Sequence, residues 1–309
     1  MSGARVTILG VFVADLAFWT DRLPAQGETV MGSAFKLGPG GKGSNQAIAA
    51  RRAGAQVTFI TKLGADTFGA LARTTYRAEG IAEDFVYESA DKTTGAASIV
   101  VNQDTGDNAI VVAMGAVADL TAAEVDAAEP AIAGSAVFAT NLELPIALAE
   151  RGLGIARRNG VATVLNPAPA APLPDRIYPL VDYFTPNETE AAALAGRAVA
   201  TLAEAEAAAD VFLDRGVGTV IVTLGERGVL FKDGAGGALI PAVEAGPVVD
   251  TTGAGDAFNG GFAVGLAEGA DARAAARLGC AVAGLSVTRV GTAPSMPTRA
   301  QVDALLARR

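Results

Sequence analysis

Short apolar runs alternate with longer stretches of helical spacing along most of the chain, and that alternation predicts an architecture. Residues 6–10 form an apolar run that reads as a buried first strand, and residues 11–18 continue in strand-like composition. Asp15 interrupts this second run, where an unpaired carboxylate is expensive to bury. A turn over 23–29 and a strand over 30–37 lead to a glycine-rich loop, 38–45, and then an alanine-rich helix over 46–53. A strand over 57–63 and a helix over about 67–79 follow. Residues 96–101 and 109–113 read as short strands joined by 102–107, a segment with strong hairpin chemistry. Strands over 136–140, 161–165 and 219–224 then alternate with a helix ending at Arg158 and helices over 191–195 and about 201–215. The final third holds apolar helices over 254–268, 271–287 and 299–307.

Strands alternating with helices predict an α/β fold with a mostly parallel sheet covered on both faces. Ligands in such sheets gather at the C-terminal ends of the strands. Polar residues fall at those ends repeatedly: Asn141 and Glu143, Asn166, Asn187 and Glu190, Thr223 and Gly225, and Gly253 to Asp256. Each alone reads as a cap or turn, and their recurrence points to a functional cleft. The hairpin among βα units predicts a small accessory sheet that covers it.

The length, 309 residues, fits one large α/β domain. A net charge of −9 argues against nucleic acid or an anionic membrane as partner. No apolar run is long enough to span a bilayer, and the N-terminus lacks the basic region and apolar stretch of a signal peptide. The lone cysteine, Cys280, excludes an internal disulfide and suits a reducing cytoplasm, the expected location. Histidine is absent, which excludes a Ser–His triad, a histidine zinc site and histidine general-base catalysis.

Two glycine-rich stretches remain as candidate chemistry. In the first, Gly38, Gly40 and Gly43 satisfy G-x-G-x-x-G, but no clean βαβ unit surrounds them, which weakens a dinucleotide reading and an oxidoreductase built on it. A Walker A loop fails as well, because Lys36 and Gly43 stand where glycine and Ser or Thr are required. What remains is a backbone-rich loop with Asn45 at the head of a helix, suited to a polyol or simply to a turn. In the second, 250–261, the N–H groups of Gly253, Ala254 and Gly255 sit at a helix N-terminus, with Asp256 in the first turn. Asp256 is then either a helix cap or an acid that handles a proton beside an anion. Two glycine loops, no histidine and one carboxylate at an anion hole fit phosphoryl transfer to an alcohol, which needs positioning and charge neutralisation.

The stretches 40–45 and 250–256 together resemble the two characteristic regions of the PfkB family of carbohydrate kinases. Residues 165–169, 185–190, 223–228 and 287–295 extend the resemblance from Val6 nearly to the C-terminus. It implies a ribokinase-like α/β fold, with a mostly parallel central sheet flanked by helices. A small β-sheet lid from segments near 11–37 and 94–114 would often join two subunits, giving a homodimer. It implies ATP-dependent phosphorylation of a sugar's primary hydroxyl, giving ribose 5-phosphate where the sugar is ribose. Asp256 would be the base, with Gly253, Ala254 and Gly255 as anion hole. Val13, Ala14, Asp15, Gly41, Lys42, Gly43, Ser44, Asn45 and Glu143 would lie at the sugar. Asn187 would lie near the phosphates, with Glu190 near Mg2+ through water. Thr223, Leu224, Gly225, Glu226, Arg227 and Gly228 would line the nucleotide, together with Gly255 and Cys280. A monovalent cation, K+, would sit at Asp250, Thr252, Ser286, Arg289, Gly291 and Ser295. Two positions depart from the pattern: Val13 stands where bacterial members usually carry Asn, and Cys280 stands where histidine is often found near adenine. The first makes deoxyribose, another pentose or a nucleoside an alternative substrate. A non-catalytic sugar- or nucleotide-binding regulator would be expected to have lost Asp256 or the anion hole.

Overall fold

β1 (Arg5–Leu9) is buried from Val6 to Leu9 because it lies inside a sheet covered on both faces. The computed structural model describes residues 3–308. After β1 come β2 (Val13–Thr20), β3 (Ala34–Gly40), α1 (Lys42–Arg52), β4 (Gln56–Gly64), α2 (Thr67–Glu79) and β5 (Val86–Ser89). The next segment holds β6 (Thr94–Asn102), β7 (Asn108–Gly115), α3 (Ala122–Ala127), α4 (Glu129–Ala133), β8 (Val137–Asn141) and α5 (Ile146–Arg158). Then follow β9 (Ala162–Asn166), β10 (Tyr183–Phe184), α6 (Glu188–Ala195), α7 (Leu202–Asp214), β11 (Thr219–Thr223), β12 (Val229–Asp233) and β13 (Gly236–Ile240). α8 (Ala254–Ala267), α9 (Ala272–Ser286) and α10 (Arg299–Leu306) complete the chain.

The large sheet has the order β13-β12-β11-β10-β9-β8-β1-β4-β5 and is parallel from β11 to β5. β12 and β13 add an antiparallel edge. Alternate residues of each strand feed two apolar layers. Val6 and Ile8, Val57 and Phe59, and Val137 and Ala139 pack with α1, α8 and α9. Leu9, Ile60 and Phe138 pack with α5 and α7 on the other face. The α/β expectation holds. Among the described residues no helix is long and apolar enough to cross a membrane.

β3, β2, β6 and β7 form a separate four-stranded sheet in that order. The expected hairpin is β6–β7, and β2 joins it in parallel through Val13↔Gly95 to Thr20↔Asn102. The 11–37 segment differs in detail from expectation. β2 begins at Val13, and β3 runs from Ala34 through Pro39 to Gly40. Pro39 is tolerated there because β3 is an edge strand that needs no N–H at every position.

The glycine stretch 38–45 is therefore the end of a strand and the start of a helix, joined at Gly41. α1 starts at Lys42, four residues before the alanine-rich run, and Asn45 lies inside the helix rather than at its head. Gly41 takes φ 87, a left-handed value, and a Cβ there would lie 2.5 Å from the Val11 carbonyl oxygen. Likewise α6 begins at Glu188, where Asn187 and Glu190 form a capping box.

Candidate active site

The strand ends and helix starts converge on Asp256, which is 5% exposed at the beginning of α8. Asn45 Nδ2 donates to its Oδ2 at 3.0 Å, and Gln46 Nε2 donates to its Oδ1 at 3.2 Å. Both donors come from the first turns of α1, so the early helix start places amides against the carboxylate. Burial pushes the Asp256 carboxyl above the usual carboxylate range, while the Lys42 charge and the two amide bonds act against that rise.

The N-terminus of α8 provides an anion-binding turn. Gly253 precedes it with φ 79, packed against Thr292, and Gly255 is exposed with open space where a Cβ would be. The Ala254 N–H is directed to the Thr251 carbonyl at 3.1 Å, which corrects the expectation that it opens to an anion. The N–H groups of Gly253, Gly255 and Asp256 have no protein acceptor among the described residues. They remain for a ligand.

Asp15, on β2, approaches the same carboxylate. Its side chain crosses Gly40, where a Cβ would stand 2.1 Å from Asp15 Oδ2, so only glycine fits. Burial and the neighbouring Asp256 charge push the Asp15 carboxyl up to about 6. Glu143, just beyond β8, accepts a bond from the Lys42 backbone N–H at 2.8 Å. Burial, with the like charges of Asp256 and Asp15, raises Glu143 to about 7 against the opposing charge and N–H of Lys42. The Lys42 ammonium is itself raised by Asp256 first, and by Glu143 and Glu190, against its own burial. One ammonium thus stands among three carboxylates, with Asp15 beside Asp256 as a fourth in the site.

Other expected sugar-site positions are buried around this geometry. Val13 and Ala14 are buried in the apolar layers, Gly43 packs on Gly10, and Ser44 accepts from the Tyr76 hydroxyl at 3.3 Å. Ala14 and Ser44 are buried in the core, and Val13, also buried, lies on the Asp15 face of β2. Asn45 Oδ1 and Asn141 Nδ2, by contrast, are buried polar atoms without a protein partner. A buried acceptor beside Asp256 is costly unless a ligand hydroxyl completes it.

The 187–190 and 223–228 segments lie side by side. Thr223 N–H donates to the Pro186 carbonyl at 2.9 Å, and Arg227 pairs with Glu188. Gly225 and Gly228 bracket a single helical turn with φ 58 and 97, and Glu226 lies within it. Leu224 is buried in the core. Glu190 caps α6 through one carboxylate oxygen, Oε2, and burial raises its proton affinity. Cys280 lies in the apolar layer with Phe258, and burial pushes its thiol up to about 12. Its thiol meets no polar partner among the described residues.

The 250–252 and 286–295 loops are tied by Asp250, which accepts from Thr252 N–H at 2.9 Å and Gly291 N–H at 2.8 Å. Burial raises this carboxyl, but those bonds offset it and hold Asp250 below the usual range. Ser286 and Ser295 are 1% exposed, and Arg289 is exposed. Thr252, Ser286, Gly291 and Ser295 offer only oxygen donors, a chemistry that suits a hard cation, and the Ser286 and Ser295 hydroxyls themselves donate to the Ala283 and Thr292 carbonyls at 2.9 and 2.8 Å. Around Glu190, no group of three acidic or cysteine side chains among the described residues could hold a metal alone.

A concavity of about 660 Å3 lies at the opposite end of the strands, lined in part by Arg5 and Arg51. Arg51 donates to the Gly80 carbonyl at 3.2 Å, so it answers the C-terminal end of α2 and assembles no reacting group.

Gln46 is the residue that motif reading misses. Its only signal in the sequence is a polar residue at the start of an otherwise alanine-rich helix.

Residues 4–299 match the pattern of the pfkB family carbohydrate kinases. The chain is 41% identical over 294 residues to a ribokinase from Haemophilus influenzae, covering 95% of both proteins. It is 34% identical over 302 residues to a deoxyribokinase from Salmonella typhi, covering 97% of this chain and 98% of that one. The fold superposes on the structure of Arabidopsis thaliana ribokinase complexed with ribose and ATP with a TM-score of 0.93, 29% identity and 99% coverage of each chain. Motifs, fold and whole-length similarity agree, and the chain belongs to the pfkB family of carbohydrate kinases.

Proposed function

We propose that this protein transfers the γ-phosphoryl group of ATP to the primary hydroxyl of ribose, giving ribose 5-phosphate and ADP. The observation that carries the reading is the buried Asp256 carboxylate, gripped by two amides beside the open N–H groups of Gly255 and Asp256. Asp15, Lys42, Glu143 and the unpartnered Asn45 Oδ1 hold the sugar hydroxyls. The primary hydroxyl oxygen forms the new bond to the γ-phosphorus as the bond to the β-phosphate oxygen breaks. Its proton passes to Asp256 late, in a loose transition state. The helix N-terminus stabilises the negative charge on the transferring group. ATP lies along 187–190 and 223–228.

With four carboxylates and one ammonium in it, the site needs added positive charge before a polyphosphate enters. Mg2+ on the phosphates would supply it, and Glu190 would hold that ion through water. The Asp250 carboxylate and the oxygens of Thr252, Ser286, Arg289, Gly291 and Ser295 would hold K+, which would keep the loops about Gly253 in place. The ribokinase relatives at high coverage favour ribose. Val13 favours deoxyribose as the second reading, since an apolar side chain there offers no bond to a hydroxyl.

The small sheet acts as a lid over the sugar and joins two copies. Leu16, Phe18, Phe35, Leu37 and Val111 share one of its faces by register, and Phe35 is 55% and Val111 74% exposed. The enzyme works in the cytoplasm, where ATP is supplied. ADP release measured on ribose, deoxyribose, other sugars and nucleosides, with and without K+, tests the substrate and cation together. Ribose is expected to give the highest kcat/KM and K+ to raise it. A rate independent of every added sugar and nucleoside would overturn the reading.

A further inference from the structure

The candidate base is one end of a buried polar chain that returns to the anion-binding turn. The Gln46 amide is 1% exposed, and its nitrogen has two hydrogens. One serves Asp256 Oδ1 at 3.2 Å and the other Asn166 Oδ1 at 3.3 Å. Asn166 Nδ2 donates to the Thr185 carbonyl at 2.8 Å. The Thr185 hydroxyl donates to Asn259 Oδ1 at 2.7 Å, and Asn259 Nδ2 donates to the Gly255 carbonyl at 2.8 Å. Two backbone carbonyls and one carboxylate fix which way every amide faces, because none of those three can donate.

The far end of the chain bears on chemistry as directly as the near end. The Gly255 carbonyl belongs to the same peptide group as the Asp256 N–H, one of the open donors of the anion hole. A second donor on that carbonyl, besides the helix's own, polarises the peptide and strengthens its N–H.

We propose that Gln46, Asn166, Thr185 and Asn259 are positioning residues that set the Asp256 carboxylate and the 255–256 peptide in one fixed relation. The inference rests on the sugar-kinase reading and deepens it. These four residues come from α1, the end of β9, the segment after β10 and α8, so the network also locks the elements that deliver the reacting groups. Gln46 also favours the ionised carboxylate, in a field set by Lys42 on one side and Asp15, Glu143 and Glu190 on the other. A network that served only packing would leave turnover and its pH dependence alone.

The test uses full-length wild type, Gln46→Met and Thr185→Val, with kcat, both KM values, the pH profile of kcat and Tm measured on each. Gln46→Met keeps length and removes the donor; kcat is expected to fall about 10- to 100-fold, with KM for sugar and ATP changed by less than about 3-fold. The acid limb of its kcat profile moves to higher pH. Thr185→Val leaves the Asn166 bond to the 185 carbonyl and removes the hydroxyl's bonds to Asn259 Oδ1 and, at 3.5 Å, to the Leu165 carbonyl, freeing the amide that serves Gly255; kcat falls about 5- to 10-fold and the acid limb stays in place. Variants that lose Tm but keep wild-type kcat and pH profile overturn the inference while leaving the sugar-kinase reading intact. Should Gln46→Met fail to fold, Thr185→Val decides alone, and wild-type kcat in it is fatal. A wild-type protein that phosphorylates no sugar or nucleoside overturns both.

Discussion

Asn45 Nδ2 and Asp256 Oδ2 lie 3.0 Å apart, so residues separated by 211 positions in the chain meet in one buried hydrogen bond. That bond joins the two glycine-rich stretches. Gly40 and Gly41 let β3 pass under Asp15 and turn at once into α1, which carries Asn45 to Asp256. Gly253 and Gly255 leave the other side of Asp256 open to an anion. The glycines make room, and the polar side chains fill it with donors.

Replacing Asp256 by Asn keeps the shape and removes the proposed base. We expect kcat to fall roughly 10²- to 10⁴-fold while KM for sugar stays within about 3-fold of wild type. Steady-state kinetics decide this. Unchanged kcat would remove Asp256 from the role of base.

The carboxylates of the site make the ligand-free protein less stable as pH rises. Glu143 has a folded-state pKa of about 7 against 4.5 for an unperturbed glutamate, and Asp15 about 6 against 3.8 for an unperturbed aspartate. Both are raised, so folding takes up protons between those values. The contribution is fully present below the unfolded pKa values and is lost as pH rises through about 6 to 7. Thermal melts of the ligand-free protein from pH 4 to pH 8 should show this slope, and Glu143→Gln should flatten it and raise Tm near pH 7.5 by about 2–4 °C. A wild-type Tm that climbs from about pH 5 to pH 8 contradicts the burial argument.

The alternation of apolar runs is enough to read the α/β class, because strands buried on both faces and helices buried on one differ in period. It is silent about β12 and β13. β12 holds a buried apolar run, Val229 to Phe231, but it is only three residues long before Lys232, and β13 beyond the turn at Asp233 and Gly234 is half-exposed and weakly apolar. The pattern starts α1 too late because Lys42, Gly43, Ser44 and Asn45 are a poor helix-forming run in isolation. Tertiary bonds hold them, such as Ser44 N–H to the Val11 carbonyl at 3.1 Å. Asp15, Glu143 and Asp256 stand out as carboxylates in an apolar run, at a strand end and at a helix start, Lys42 follows from the family resemblance alone, and the structure gathers all four. The Gln46–Asn166–Thr185–Asn259 chain is not legible in advance, since nothing in a sequence says which buried amides will meet.

Val13 lies on the same face of β2 as Asp15, opposite Gly40 and Gly95. Val13→Asn brings an amide within two residues of the carboxylate at the cost of burying it. The ratio of kcat/KM on ribose to that on deoxyribose should rise about 10-fold or more. A flat ratio clears the position of any part in substrate choice.

The apolar face of the small sheet predicts a dimer. Phe18 and Phe35 are paired across β2 and β3 with ring centroids 4.8 Å apart, and both are exposed. Sedimentation should find wild type as a dimer and Phe35→Glu as a monomer that melts within about 2 °C of wild type. A monomeric wild type removes the interface from the account.

The central claim is phosphoryl transfer to a primary hydroxyl at Asp256. The most direct measurement is the proton-coupled phosphorus NMR spectrum of the product formed from ATP and ribose. Transfer to the primary hydroxyl places phosphorus next to a CH2 group, so the predicted new phosphomonoester signal is a triplet, appearing together with ADP. A doublet, from phosphate on a ring CH, or inorganic phosphate alone would contradict it.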